Sequence, residues 1–81
     1  MMSNSNVAMI GLCPSCVDGR LLLAKERATG THFVICENCA VAFVHPAMSR
    51  DVTFAKRDGF GDHDLLSLAE AEQHAWRNYL T

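Results

Sequence analysis

Cys13-Pro14-Ser15-Cys16 and Cys36-Glu37-Asn38-Cys39 decide how this chain folds. Nineteen residues separate the two pairs, a spacing inside the window in which two Cys-x2-Cys corners share one zinc ion. The reason is geometric. Two thiolates three positions apart on a tight turn face one point, and two such turns supply four sulfurs in a tetrahedron, each about 2.3 Å from the metal. Pro14 fixes one torsion of the first corner and removes a backbone donor there, while Glu37-Asn38 makes a polar, turn-tolerant second corner. Cys13, Cys16, Cys36 and Cys39 are therefore the expected ligands of one structural Zn2+. Four thiolates close the coordination sphere and leave no open position for catalysis; the same donors also suit iron. A redox dithiol is the competing reading, but it calls for a βαβ context that neither pair has.

Outward from the cysteines, Arg20 to Arg27 is an extended, Leu-rich stretch, and Ala28-Thr29-Gly30 is a turn with glycine where a positive φ is needed. His32 to Ile35 returns as a β-branched and aromatic strand and delivers Cys36 beside Cys16. Ala40 to His45 is a third extended stretch, ended by Pro46, which pushes the residue before it out of the helical region. The expected fold is small α+β: a three-stranded antiparallel zinc ribbon, rubredoxin-like, with a C-terminal amphipathic helix. At 100° per residue, Leu65, Leu68, Ala69, Trp76, Tyr79 and Leu80 fall in one arc of a helix over 62–80, capped by Asp62 or Asp64, with Leu66 at its edge and Glu72 inside it. The expected organisation is a flexible leader over 1–10, the ribbon over 11–46, a connector over 47–61 and the helix over 62–81, all one domain. Within the connector, Val52 to Lys56 reads as extended and Arg57-Asp58-Gly59-Phe60-Gly61 as a turn that tucks Phe60 onto the core.

The string Cys13-Pro-Ser-Cys16-Val-Asp-Gly19-Arg-Leu21, followed by Cys36-Glu-Asn-Cys39, resembles the zinc ribbons of the prokaryotic transcription factor IIB-type zinc-finger family. It is also similar to the ribbon repeats at the end of bacterial type I topoisomerases, which share Cys-Pro-x-Cys, a nearby Gly and a following Leu. The resemblance spans roughly residues 12–45. It implies a structural zinc held by Cys13, Cys16, Cys36 and Cys39 and a role in binding macromolecules, in a transcription-related setting.

Size explains why a metal is needed. The chain has 81 residues, 49% apolar and 20% charged, which suits one globular domain. A domain this small buries only about 60% of its unfolded surface, so its core alone leaves little net stability. Apolar runs such as Leu21 to Ala24 and Ala40 to Val44 fall far short of the roughly 20 residues that span a bilayer. Met1 to Leu12 holds no Lys or Arg and lacks the form of a secretory signal, so the expected address is cytoplasmic, where thiols stay reduced.

The net charge is −2. Residues 1–50 carry four bases against three acids, and residues 51–81 carry three bases against six acids. Four thiolates and one Zn2+ add a further −2. No basic stripe exists of the kind that neutralises several phosphates.

The leading functional expectation is a non-catalytic module that binds a protein partner through an exposed strand edge or through Trp76 and Tyr79 on the helix. The alternative is a nucleic-acid module using Arg20, Lys25, Arg27 and His32, with Phe33 stacking on a base. The third reading is a thiol redox or zinc-sensing protein. His45, directly before Pro46, is the histidine expected nearest the metal, as neighbour or substitute ligand, and His74 is expected to face solvent. No Ser-His-Asp or Cys-His pairing is visible, Gly59 and Gly61 lack the context of a phosphate loop, and Asp58, Asp62 and Asp64 read as turn and cap residues. No enzymatic activity is therefore expected.

Overall fold

The computed structural model describes residues 7–57 and 60–81. Five strands, β1 (Met9–Leu12), β2 (Arg20–Glu26), β3 (His32–Cys36), β4 (Ala42–Phe43) and β5 (His63–Leu65), form one antiparallel sheet in the order β1-β2-β3-β4, with β5 also paired to β2. A five-residue helix α1 (Leu68–Glu72) and single 3-10 turns over Pro46–Arg50, Val52–Phe54 and Ala75–Tyr79 complete it. No described helix is long and apolar enough to cross a membrane.

β2 is the hub. Leu21, Leu22, Leu23 and Ala24 are all buried, which is why the strand reads as a continuous apolar run instead of an alternation. Side chains alternate across a strand, so Leu21 and Leu23 face one core with Val34, Cys36, Phe43 and Val41, and Ala24 faces a second, smaller core with Phe33 and Ala42. The β2/β3 register, Leu21 opposite Cys36 through Lys25 opposite His32, carries Cys36 onto the face of the larger core. Phe60 closes the smaller core as the sequence predicts: its ring stacks on Phe33 with centroids 4.0 Å apart and planes 3° from parallel. Gly30 sits at φ +75° in the β2/β3 turn, in the left-handed conformation expected there.

Three expectations are corrected. The first is the leader. Met9 and Ile10, placed in a flexible 1–10, belong to β1, because Ala8 is fully buried and Ile10 packs on the larger core; residues 1–6 lie outside the described residues.

The second correction concerns the connector. It coils as Pro46–Arg50 and Val52–Phe54, with Asp51 accepting from Thr53 N–H at 3.0 Å, in place of an extended Val52 to Lys56. Of its described residues, Lys56 alone pairs with the sheet, exchanging two 2.8 Å hydrogen bonds with Ala42. Asp58 and Gly59 of the expected turn lie outside the described residues.

The third correction is the largest, because no continuous helix runs over 62–80. His63 to Leu65 pairs instead with Glu26 to Ala24, and Arg27 grips Asp64 with two hydrogen bonds at 3.0 and 2.7 Å. A strand alternates where a helix would not: Leu65 faces out and Leu66 is buried. Only at Ser67 does α1 begin, with a reciprocal capping box in which Ser67 Oγ accepts from Glu70 N–H and the Glu70 carboxylate accepts from Ser67 N–H. Ala71, rather than Ala69, is the buried alanine of α1.

Candidate metal centre

The first cysteine corner links β1 to β2 and the second links β3 to β4, so the sheet order brings both corners to the same end. The four sulfurs lie within 4.8 Å of one another. Cys13 Sγ and Cys39 Sγ are 3.7 Å apart, and Cys16 Sγ and Cys36 Sγ are 3.6 Å apart. A tetrahedron with sulfurs at about 2.3 Å from its centre has edges of about 3.8 Å. The cross-corner pairs therefore match the spacing of a four-thiolate metal site and are far too long for disulfides, which need about 2.05 Å. All four are free thiols. Each close pair takes one sulfur from each corner, so an ion here would tie the β1/β2 end of the sheet to the β3/β4 end.

Backbone amides are aimed at the sulfurs. Ser15 N–H donates to Cys13 Sγ at 3.4 Å, Gly19 N–H to Cys16 Sγ at 3.4 Å, and Asn38 N–H and Cys39 N–H to Cys36 Sγ at 3.3 and 3.4 Å. The Asn38 side-chain amide reaches Cys16 Sγ at 3.7 Å. Such donors favour sulfur in its charged, ligating form and orient it. In the metal-free chain the two members of one close pair diverge. The Gly19 amide in particular lowers the Cys16 thiol to about 6, whereas burial pushes the Cys36 thiol up to about 12. Cys16 and Cys36 would both hold a bound dication as thiolates, the metal taking the place of their protons.

Two features of the corners were hidden in the sequence. Val17 and Ala40, each directly after the second cysteine of its pair, adopt φ +63° and +65°. Glycine is the usual occupant of that conformation, and a β-branched residue there is a backbone outlier. Recurrence at equivalent positions shows that both corners are one device: the left-handed residue curls the chain back beneath the sulfur. The residue types gave no signal for it. Gly19 has the second hidden role. A Cβ placed there would overlap Cys36 Sγ and stand 2.8 Å from Asn38 Cβ, so the absent side chain is what lets the two corners close on each other.

The nucleic-acid set is largely spent on the protein itself. Arg20 braces the second corner with a bidentate ion pair to Glu37, Nη2 to Oε1 being 2.8 Å, and Glu37 N–H donates back to Arg20 O at 3.0 Å. The guanidinium holds the Glu37 carboxyl below the usual range. Arg27 is engaged by Asp64. Phe33 is fully buried beneath Phe60 and cannot stack on a base, which corrects that expectation. Lys25 stays exposed, paired in register with His32 on one side and Asp64 on the other.

Three of the four histidines, His32, His45 and His74, join an aromatic cluster with Trp76 and Tyr79, while His63 stands edge-on to Phe33 at 5.3 Å. His45 is not grouped with the four sulfurs; its Nδ1 accepts from Ala47 N–H at 3.0 Å, capping the Pro46–Arg50 turn. His74, expected in solvent, is half-buried, with its ring 4.3 Å from that of His32 and its Nδ1 accepting from Trp76 N–H at 3.0 Å. Burial foremost, then His74 and Lys25, depresses the His32 pKa. Trp76 and Tyr79 are half-buried, 5.1 and 5.7 Å from the His45 ring, and Trp76 packs on the larger core.

Comparison with protein-family models, with curated proteins and with solved structures finds no match to this chain. The likeness to four-cysteine zinc ribbons therefore rests on the cysteine skeleton and on the clustering of its sulfurs.

Proposed function

We propose that this chain is a non-catalytic interaction module in which Cys13, Cys16, Cys36 and Cys39 hold one structural zinc ion, and that the stapled sheet presents a surface to a protein partner. The observation that carries the reading is the sulfur cluster, with cross-corner separations of 3.6 and 3.7 Å and backbone amides converging on it. Four thiolates at tetrahedral spacing are zinc's structural donor set, and such a set keeps no position open for substrate. When bound, the ion supplies folding free energy, on the order of 10–16 kcal/mol in small zinc peptides at neutral pH. A domain of 81 residues with a short core needs a contribution of that kind.

The test is elemental analysis of the purified, reduced chain, together with amide spectra before and after EDTA. One zinc per chain, thiols that resist alkylation until chelator is added, and collapse of spectral dispersion on chelation are expected. Dispersed spectra after exhaustive chelation refute the staple, and thiols alkylated at once in the untreated protein favour a free redox dithiol.

A further inference from the structure

We infer that the cavity between β1 and the Pro46–Arg50 turn is the docking groove of this module, and that its occupant is an extended peptide segment bearing an acidic side chain. The inference rests on the interaction reading above and names its partner. The cavity measures about 390 Å3 and is walled by Gly11 and Leu12 of β1, Pro14 of the first cysteine corner, Pro46, Arg50 and Tyr79. That volume lies within the range of ligand-binding clefts, roughly 300 to 1,000 Å3.

Three observations select the occupant. The first is the strand edge. β1 ends the sheet, and among the described residues the backbone hydrogen bond on its outer side comes from Thr81, whose N–H donates to Met9 O at 3.0 Å. Backbone thus already lies against this edge at Met9, while no strand among the described residues pairs with Gly11 and Leu12 on that side. Unpaired edges accept an added strand, main-chain hydrogen bonds giving affinity and alternate side chains giving specificity.

The second observation is room: nothing lies within 4 Å of the point where a Cβ on Gly11 would stand. The third is charge. Arg50 is the one charged residue of the cavity wall, and the ion pairs among the described residues are Arg20–Glu37 and Arg27–Asp64, so Arg50 has none. A lone guanidinium beside Leu12, Pro14 and Pro46 suits one carboxylate flanked by apolar side chains. A nucleic-acid strand would need several cations in a row. Pro14 also couples the groove to the metal, because the corner that holds Cys13 and Cys16 forms part of the wall.

The test pans a phage-displayed random heptapeptide library on the metal-loaded chain, with Arg50→Glu and Leu12→Asp variants in parallel. Both positions are exposed, so the variants are expected to fold and keep their metal. Enriched peptides should carry Asp or Glu, should shift the amide resonances of Gly11, Leu12 and Arg50, and should bind each variant about tenfold more weakly. Four results overturn the groove: no enrichment, enrichment without acidic residues, equal binding to Arg50→Glu, or displacement of the peptides by a single-stranded DNA oligomer. Metal content separates the two readings. Metal-loaded protein that selects no acidic peptide refutes the groove alone, whereas metal-free, folded protein that still selects acidic peptides refutes the zinc staple and upholds the groove.

Discussion

Replacing Gly19 by alanine tests the closure of the two corners with a single methyl group. The added Cβ would overlap Cys36 Sγ, stand 2.8 Å from Asn38 Cβ and 3.2 Å from Asn38 N. None of these is the far end of a flexible side chain. The sulfur is placed by amides from Asn38 and Cys39, and Asn38 N is backbone. Relief therefore requires either that Cys36 recede, which pulls one sulfur out of the tetrahedron, or that Gly19 recede. The second route breaks the 2.9 Å bond from Cys13 N–H to Gly19 O and the 3.4 Å bond from Gly19 N–H to Cys16 Sγ. Either way a ligand loses its position or its supporting donor. Loss of a supporting partner costs about 10- to 100-fold in metal affinity, and displacement of the ligand costs more, so Gly19→Ala should weaken zinc binding by at least about 100-fold, or about 2.7 kcal/mol. Competition with a chromophoric chelator measures it, with Ser15→Ala as control, since Ser15 serves Cys13 through its backbone amide only. If Gly19→Ala binds within about threefold of the parent, the close approach of the corners is not what sets affinity.

Zinc affinity should rise with pH through neutrality. Cys16, lowered to about 6, is already a thiolate above that pH, whereas Cys36, pushed up to about 12, must surrender its proton to the metal. Each displaced proton adds about tenfold per pH unit; titration calorimetry in buffers of different ionisation enthalpy counts the protons, and a pH-independent affinity refutes the assignment. His32, depressed chiefly by burial, contributes stability that is full above the ordinary value of 6.5 and declines as pH falls below it, because the unfolded chain takes the proton more readily. Its ring resonances should titrate below those of a free histidine, and titration at or above the free value would show that the ring is not packed against His74. Ser67→Ala removes the capping box of α1 and should cost about 1 kcal/mol in urea unfolding at saturating zinc; an unchanged midpoint would mean that α1 forms without it.

The cysteine corners and the β2/β3 hairpin were legible because their information is local: two Cys-x2-Cys pairs, a glycine at the turn, and β-branched or aromatic residues on the return strand. The C-terminal segment was not, because its partner lies far away in sequence. β1 covers β2 only over Arg20 to Leu22, and the same side of β2 is bare from Ala24 to Glu26 until β5 fills it. An expected strand of that length, with no neighbour on one side, already demanded a second partner. The arc of Leu65, Leu68 and Ala69 concealed the demand by fitting a helix equally well. Ser67 followed by Glu70 was the overlooked boundary, since a capping box marks a helix start that no strand residue before it can share. His45 and His74 were misread because imidazole is judged by its charge and its ligation, and here each caps a 3-10 turn through Nδ1.

Edge protection unites these particulars. β1 and β5 divide one side of β2, Lys56 covers β4, and Thr81 touches β1 at Met9. A sheet too small to bury its edges closes them with fragments of one to four residues, which no periodicity can announce. Among the described residues, the outer side of Gly11 and Leu12 is an edge that no such fragment covers, and it borders a cavity. That open edge and an Arg50 without an ion pair among the described residues border the same cavity.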